Sequence, residues 1–120
     1  MPSDFVALAD FSTEQLRGLV KLAHDVKRNP RSYRDACEGL SLAMIFQKPS
    51  LRTRVSFQTG IYQLGGTGMY LGPKDIQLHR GETVSDTARV LSRYVDGIMA
   101  RVFAHADIVD LARFADVPVI

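Results

Sequence analysis

Leu40-Ser41-Leu42-Ala43-Met44-Ile45-Phe46, then Gln47-Lys48-Pro49, then Ser50-Leu51-Arg52-Thr53-Arg54 is the stretch whose reading decides the fold. The first seven residues form an apolar run of the length of a buried strand, and Lys48-Pro49 breaks it just before Ser50. From Arg52 onward, Val55, Phe57, Ile61 and Leu64 read as one apolar helical face, closed by Gly65-Gly66. A strand that turns directly into a helix leaves first-turn N–H groups unpaired at the point where the helix dipole is positive. Ser50 and Thr53 add hydroxyls there, and Arg52 and Arg54 add guanidinium groups. The stretch therefore predicts an anion cradle able to hold a phosphate without a metal. The same residues carry a plainer alternative, in which Ser50 is only an N-cap and the two arginines are solvated surface groups.

Outward from this stretch the chain alternates. On the amino-terminal side, Ser12-Thr13-Glu14-Gln15 has capping-box spacing. Leu16, Leu19, Val20, Ala23 and Val26 follow at helical intervals, so an amphipathic helix is predicted over Thr13 to Arg28, ended by Asn29-Pro30. On the carboxyl side, apolar runs at Gly68 to Leu71, Gly97 to Arg101 and Val117 to Ile120 alternate with helical patterns near Ser85 to Val95 and Asp107 to Ala115. The first of those helices carries Val84, Ala88, Leu91 and Val95 on one side, the second Ile108, Leu111, Ala112 and Ala115. Such alternation predicts right-handed βαβ units and an α/β fold, a parallel sheet covered on both faces. The long polar connection Gly72 to Glu82, with two glycines, is a candidate functional loop. Val117-Pro118-Val119-Ile120 reads as a core strand with nothing after it to cover its edge, from which the 120 residues are expected to be one piece of a longer protein.

Composition narrows the function classes. The 120 residues, 46% apolar and 23% charged, suffice for one domain with a single core. Fifteen Lys and Arg against thirteen Asp and Glu give a net charge of only +2, without the basic stripe of a nucleic-acid-binding surface. The single cysteine, Cys37, leaves no internal disulfide and has no obvious catalytic partner. Met1 to Asp10 lacks a signal-peptide pattern and no 18-residue apolar run occurs, so a soluble cytoplasmic protein without membrane or nucleic-acid partners is expected. His24, His79 and His105 form no metal-ligand spacing, and no phosphate-loop or dinucleotide glycine pattern is present, so neither metal nor cofactor is expected. His79 would reach a ligand only through loop closure.

In an open parallel sheet ligands bind beyond the carboxyl ends of the strands, where the strand order reverses. Ser50, Arg52 and Thr53 follow the first strand, and Arg101 ends the third; neighbouring strands lie about 4.8 Å apart, so pairing would bring these groups onto one anion. Arg101 closes the apolar run Ile98-Met99-Ala100, an awkward place for a permanent charge unless an anion or an acid such as Glu82 or Asp86 meets it. Three or four charge-assisted hydrogen bonds of roughly 1.5 to 3 kcal/mol each hold a small phosphorylated metabolite at micromolar affinity after association costs.

Phe46 to Phe57, FQKPSLRTRVSF, resembles the carbamoyl-phosphate motif of the transcarbamoylase family, usually read S-T-R-T-R. Gln77-Leu78-His79-Arg80-Gly81-Glu82, and Asp86 to Asp96 leading into Arg101, resemble the ornithine branch in particular. Leu51 stands where that motif has Thr, which removes a hydroxyl and keeps the backbone N–H. The resemblance covers essentially the whole chain. It implies a three-layer α/β/α carbamoyl-phosphate domain, residues 1–120, with a four-stranded parallel sheet in the order 2-1-3-4, normally followed by an ornithine domain that this chain lacks. It further implies carbamoyl-phosphate contacts at Ser50, Leu51, Arg52, Thr53 and Arg101, with Arg52 and Arg101 catalytic. Gln77 and Arg80 would be supplied to a neighbouring subunit of a trimer, and Glu82 would orient an arginine of the shared site. The implied reaction is attack of the ornithine δ-amine on the carbonyl carbon of carbamoyl phosphate, giving citrulline and phosphate without metal or covalent intermediate.

Two alternatives stand beside this. One is another acceptor amine: aspartate, putrescine or N-acetylornithine. The other is a phosphate-binding or assembly module without turnover, the expected behaviour of the isolated 120 residues, since the family's H-P-x-Q segment would come after Ile120.

Overall fold

The computed structural model describes residues 3–120, so Met1 and Pro2 of the amino-terminal reading lie outside the described residues. In chain order the elements are a 3-10 turn (Leu8–Asp10), α1 (Thr13–Arg28), α2 (Pro30–Tyr33), β1 (Ser41–Phe46), α3 (Leu51–Gln63), β2 (Thr67–Leu71), α4 (Val84–Ser92), β3 (Gly97–Arg101) and α5 (His105–Phe114). All three strands pair in parallel in the order β2-β1-β3.

β1 is the centre of the molecule because its sequence has no polar face: Leu42 to Phe46 are all buried. Its alternate side chains feed two cores. Ala43 and Ile45 join Ile98, Val84, Ala88, Ile108 and Leu111 on the side covered by α4 and α5. Leu42, Met44 and Phe46 join Met99 on the other side, where Phe57 and Ile61 of α3 pack. The result is three layers, and each fully buried Ile, Met or Phe contributes about 1.5–3 kcal/mol by leaving water.

The fourth strand expected over Val117 to Ile120 does not form as such. Val119 makes an isolated parallel bridge to Ile98, with Ile98 N donating to Pro118 O at 2.9 Å and Ala100 N to Ile120 O at 3.0 Å. Pro118 has no N–H to donate, which limits the ladder. On its far side the segment is met by the amino-terminal part of the chain: Phe5 N donates to Val119 O at 2.7 Å and Val119 N to Asp4 Oδ1 at 2.9 Å. The inward face of α3 is narrower than expected and leaves out Val55. Val55 is 51% exposed, because at about 100° per residue it lies roughly 160° round the helix from Phe57, whereas Ile61 and Leu64 fall within about 40° of Phe57.

α1 has the predicted bounds and a complete capping box, with Gln15 N donating to Ser12 Oγ at 3.1 Å and Ser12 N to Gln15 Oε1 at 2.9 Å. It buries no residue, and Val20 is 59% exposed. What joins it to α2 is polar: Asp25 accepts hydrogen bonds from Tyr33 Oη and Asn29 Nδ2. The Tyr33 hydroxyl, then Asn29, hold the Asp25 carboxyl below its ordinary value, and in return the carboxylate holds the Tyr33 phenol up. A carboxylate whose folded value is depressed stabilises above its unfolded value and loses that contribution as pH falls through the folded one. Tyr33→Phe should therefore lower the urea midpoint at pH 7, and the deficit should shrink as pH falls below 3.8. A deficit independent of pH between 2.5 and 7 would contradict this account.

Candidate anion site at the strand tips

The order of the sheet reverses between β1 and β3, since β1 leads to β2 on one side and β2 crosses to β3 on the other. That crevice is where ligands enter open parallel sheets. Phe46 is level with Arg101 across the pair. Gln47 then stitches the departing segments together: its N–H donates to Arg101 O at 3.0 Å, and its Oε1 accepts from Phe103 N at 2.9 Å.

Ser50, extended at φ −155° and ψ 111°, is the N-cap of α3. Its Oγ accepts from Thr53 N at 3.3 Å and donates to Thr53 Oγ1 at 3.0 Å, and the first intrahelical bond runs from Arg54 N to Ser50 O at 3.1 Å. The N–H groups of Leu51 and Arg52 lie ahead of that bond, at the positive end of the dipole. Leu51 is 79% exposed, so its side chain does not screen them. Ser50, Leu51, Arg52 and Thr53 thus share one turn, and Arg101 stands at the tip of the adjoining strand.

The arginines divide by what already holds them. Arg54 lies 3.7 Å from the centre of the Tyr70 ring and is committed to that stack, so the helix start offers one uncommitted guanidinium rather than the two counted in the sequence. Among the described residues, neither Arg52 nor Arg101 has a carboxylate within 4.0 Å, and both are exposed. The acids considered as partners for Arg101 are engaged elsewhere: Asp86 sits 3.8 Å from Arg89, and Glu82 Oε2 accepts from Gln77 N at 3.4 Å. Arg101 thus has neither of the suggested acids beside it.

Gln77 and Arg80 gather at a different place. They line a hollow of about 380 Å³ together with Gln47, Pro73 and Phe103, against the same strand tips but beside the cradle. Glu82 shapes this loop from within, through the Gln77 contact and through its carbonyl, which accepts from His79 N at 2.8 Å.

The sequence profile of the aspartate/ornithine carbamoyltransferase family, carbamoyl-phosphate binding domain, matches residues 3–120. The chain belongs to that family. The ornithine carbamoyltransferase of Thermococcus kodakarensis is 59% identical over 120 residues, covering 98% of this chain and 38% of the relative. The solved ornithine carbamoyltransferase of Pyrococcus furiosus superposes with a TM-score of 0.93 at 51% identity, covering 98% of this chain and 38% of that one. The anabolic enzyme of Campylobacter jejuni gives the same TM-score, 0.93, at 42% identity. The chain therefore spans about 38% of the length of the carbamoyltransferases it matches.

Two carbamoyltransferase-domain residues escaped the sequence reading. Gln47 stands inside the stretch Phe46 to Phe57 that carries the resemblance, but nothing in the sequence assigned it a role of its own. Asp107 looked like an ordinary acid in the first turn of α5, yet it is 8% exposed and bonded to His79. The expectation that His79 serves only by loop closure omitted this partner. Among the described residues no helix is long and apolar enough to cross a membrane.

Proposed function

We propose that this chain is the carbamoyl-phosphate half of an ornithine carbamoyltransferase, with Ser50, Leu51, Arg52, Thr53 and Arg101 holding carbamoyl phosphate. The observation that carries the reading is the pair of exposed arginines without carboxylate partners, Arg52 in the first turn of α3 beside its open N–H groups and Arg101 at the tip of the strand that pairs with β1. Their charge would neutralise the phosphate, while the N–H groups of Leu51 and Arg52 donate to its oxygens. When the δ-amine of ornithine attacks the carbonyl carbon, the C–N bond forms and the C–O bond to phosphate breaks. The phosphate leaves with the bonding pair, and the amine gives up a proton. Arg52 and Arg101 lower this barrier to the extent that they bind the charge gathering on the leaving group more tightly than the ground state.

The acceptor site, and with it the choice of ornithine over aspartate, putrescine or N-acetylornithine, belongs to the remaining part of the protein. So does a fourth sheet strand continuing from the Ile98–Val119 bridge. Gln77 and Arg80 would complete the site of a neighbour in a cytoplasmic trimer, and Glu82 would hold the loop that presents them. The high identity to enzymes named for ornithine favours that acceptor.

Titration calorimetry of the 120-residue chain with carbamoyl phosphate, and separately with inorganic phosphate, tests the binding step. Three to four charge-assisted bonds at an open site predict a Kd on the order of 10 µM to 1 mM, weakening as salt rises. The chain alone should form no citrulline. Citrulline production by it, or an absence of binding at 10 mM ligand, would overturn this assignment.

A further inference from the structure

We infer that His79 is a positioning residue, clamped to Asp107 so that the turn of residues 77–82 holds Gln77 and Arg80 in the orientation in which they would serve a neighbouring subunit's site; the functional part of this rests on the reading just proposed. The turn is tight. His79 N donates to Glu82 O at 2.8 Å, Arg80 N donates to Gln77 O at 3.0 Å, and Leu78 and Glu82 form a bridge. To make it, His79 takes φ +66°, the one positive φ at a non-glycine among the described residues. Such a conformation in a residue with a Cβ persists only where surrounding contacts over-determine it.

Two contacts do so. Leu78, 6% exposed, sinks into the core on the α4 and α5 side and fixes where the turn sits. A single apolar anchor still leaves rotation about itself. His79 Nε2 stands 2.8 Å from Asp107 Oδ1 in the first turn of α5 and stops that rotation. The pair is not an ordinary surface salt bridge. The His79 side chain is 61% exposed, but that of Asp107 is 11% exposed, and Asp107 is the one buried charged residue among those described. Releasing His79 would leave a largely buried carboxylate without its side-chain partner. Gln77 and Arg80 flank His79 and line the hollow shared with Gln47 and Phe103. The clamp therefore sets the orientation of the two side chains proposed to complete a neighbouring subunit's carbamoyl-phosphate site.

Three substitutions at His79 in the full-length protein separate positioning from stability. His79→Gly relieves the positive φ and removes the clamp; His79→Ala keeps the strain and removes the clamp; His79→Gln keeps a donor near the Nε2 position. Hydrogen exchange of the residue-79 and Arg80 amides should quicken about tenfold in the Gly and Ala forms, as for loss of one charge-assisted hydrogen bond, and return toward wild type in the Gln form. The KM for carbamoyl phosphate should rise by a similar factor, about tenfold, in both the Gly and Ala forms, although the Gly form, relieved of the positive φ, should melt no lower than the Ala form. Wild-type exchange rates in both the Gly and Ala forms, or a KM that follows Tm across the series, would overturn the clamp. A wild-type protein that does not turn over carbamoyl phosphate would instead sink the functional reading alone, because amide exchange needs no substrate and still decides the clamp.

Discussion

Replacing Arg52 with Ala is expected to cost the full-length protein about a thousandfold in kcat/KM for carbamoyl transfer, without moving the Tm of this domain. The two halves of that statement have separate causes. Arg52 is exposed and has no ion-pair partner among the described residues, so its removal opens no cavity and strands no buried charge. Arg52 nevertheless sits on the first turn of α3, next to open N–H groups, where in the proposed reading a departing phosphate would gather charge. Arg52→Lys should recover little, because a point charge does not reproduce two parallel N–H donors directed at phosphate oxygens. Arg54→Ala is the informative control. It belongs to the same motif but stacks on Tyr70, so it should cost about 1 kcal/mol of stability and little chemistry. Citrulline formation and thermal melts of the variants check both; an Arg52→Ala enzyme within threefold of wild type would remove the anion cradle from the mechanism.

The contrast between these two arginines shows what sequence could and could not tell. The motif announced a strand, a turn and a helix start, because an apolar run, a proline and a capping serine act locally and leave local marks. Helix α1 was legible to the residue for the same reason: both halves of its capping box lie within four positions. Which guanidinium is engaged depends on Tyr70, sixteen positions away on β2 and brought near only by the parallel pairing of β1 and β2. Asp107 was invisible in the same way, since its burial comes from the docking of α5 and its partner lies 28 positions earlier in a loop. Val117 to Ile120 is formed only in part. Its composition is that of a strand, but a proline without an N–H and a pairing confined to the Val119 bridge leave it short of one.

Gly65→Ala should produce the largest loss of stability, about 3 kcal/mol, a fall in Tm of roughly 10 °C. Gly65 follows α3 at φ +93°, where a Cβ is strained whatever space surrounds it. Space is also lacking: an added Cβ would stand 2.7 Å from Arg34 O and 3.3 Å from Glu38 Cα. Both neighbours are backbone, so no side-chain rotation relieves the overlap. The segment they belong to is itself tied to this turn by Cys37 N donating to Leu64 O at 2.7 Å. Gly81→Ala isolates the first cost, because Gly81 has nearly the same φ, +94°, and nothing within 4 Å of the added atom. It should lose only about 1 kcal/mol, and the difference between the two variants reads the overlap. Gly65 also lies at the opposite end of α3 from Ser50, a helix of 13 residues or about 20 Å away. Below its melting transition the Gly65→Ala chain should therefore bind carbamoyl phosphate within about twofold of wild type, since the helix start that carries the donors is unchanged. A tenfold loss of affinity at 10 °C in a chain still folded by circular dichroism would mean that the turn after α3 controls the cradle, and that packing and binding are coupled along the helix rather than separable.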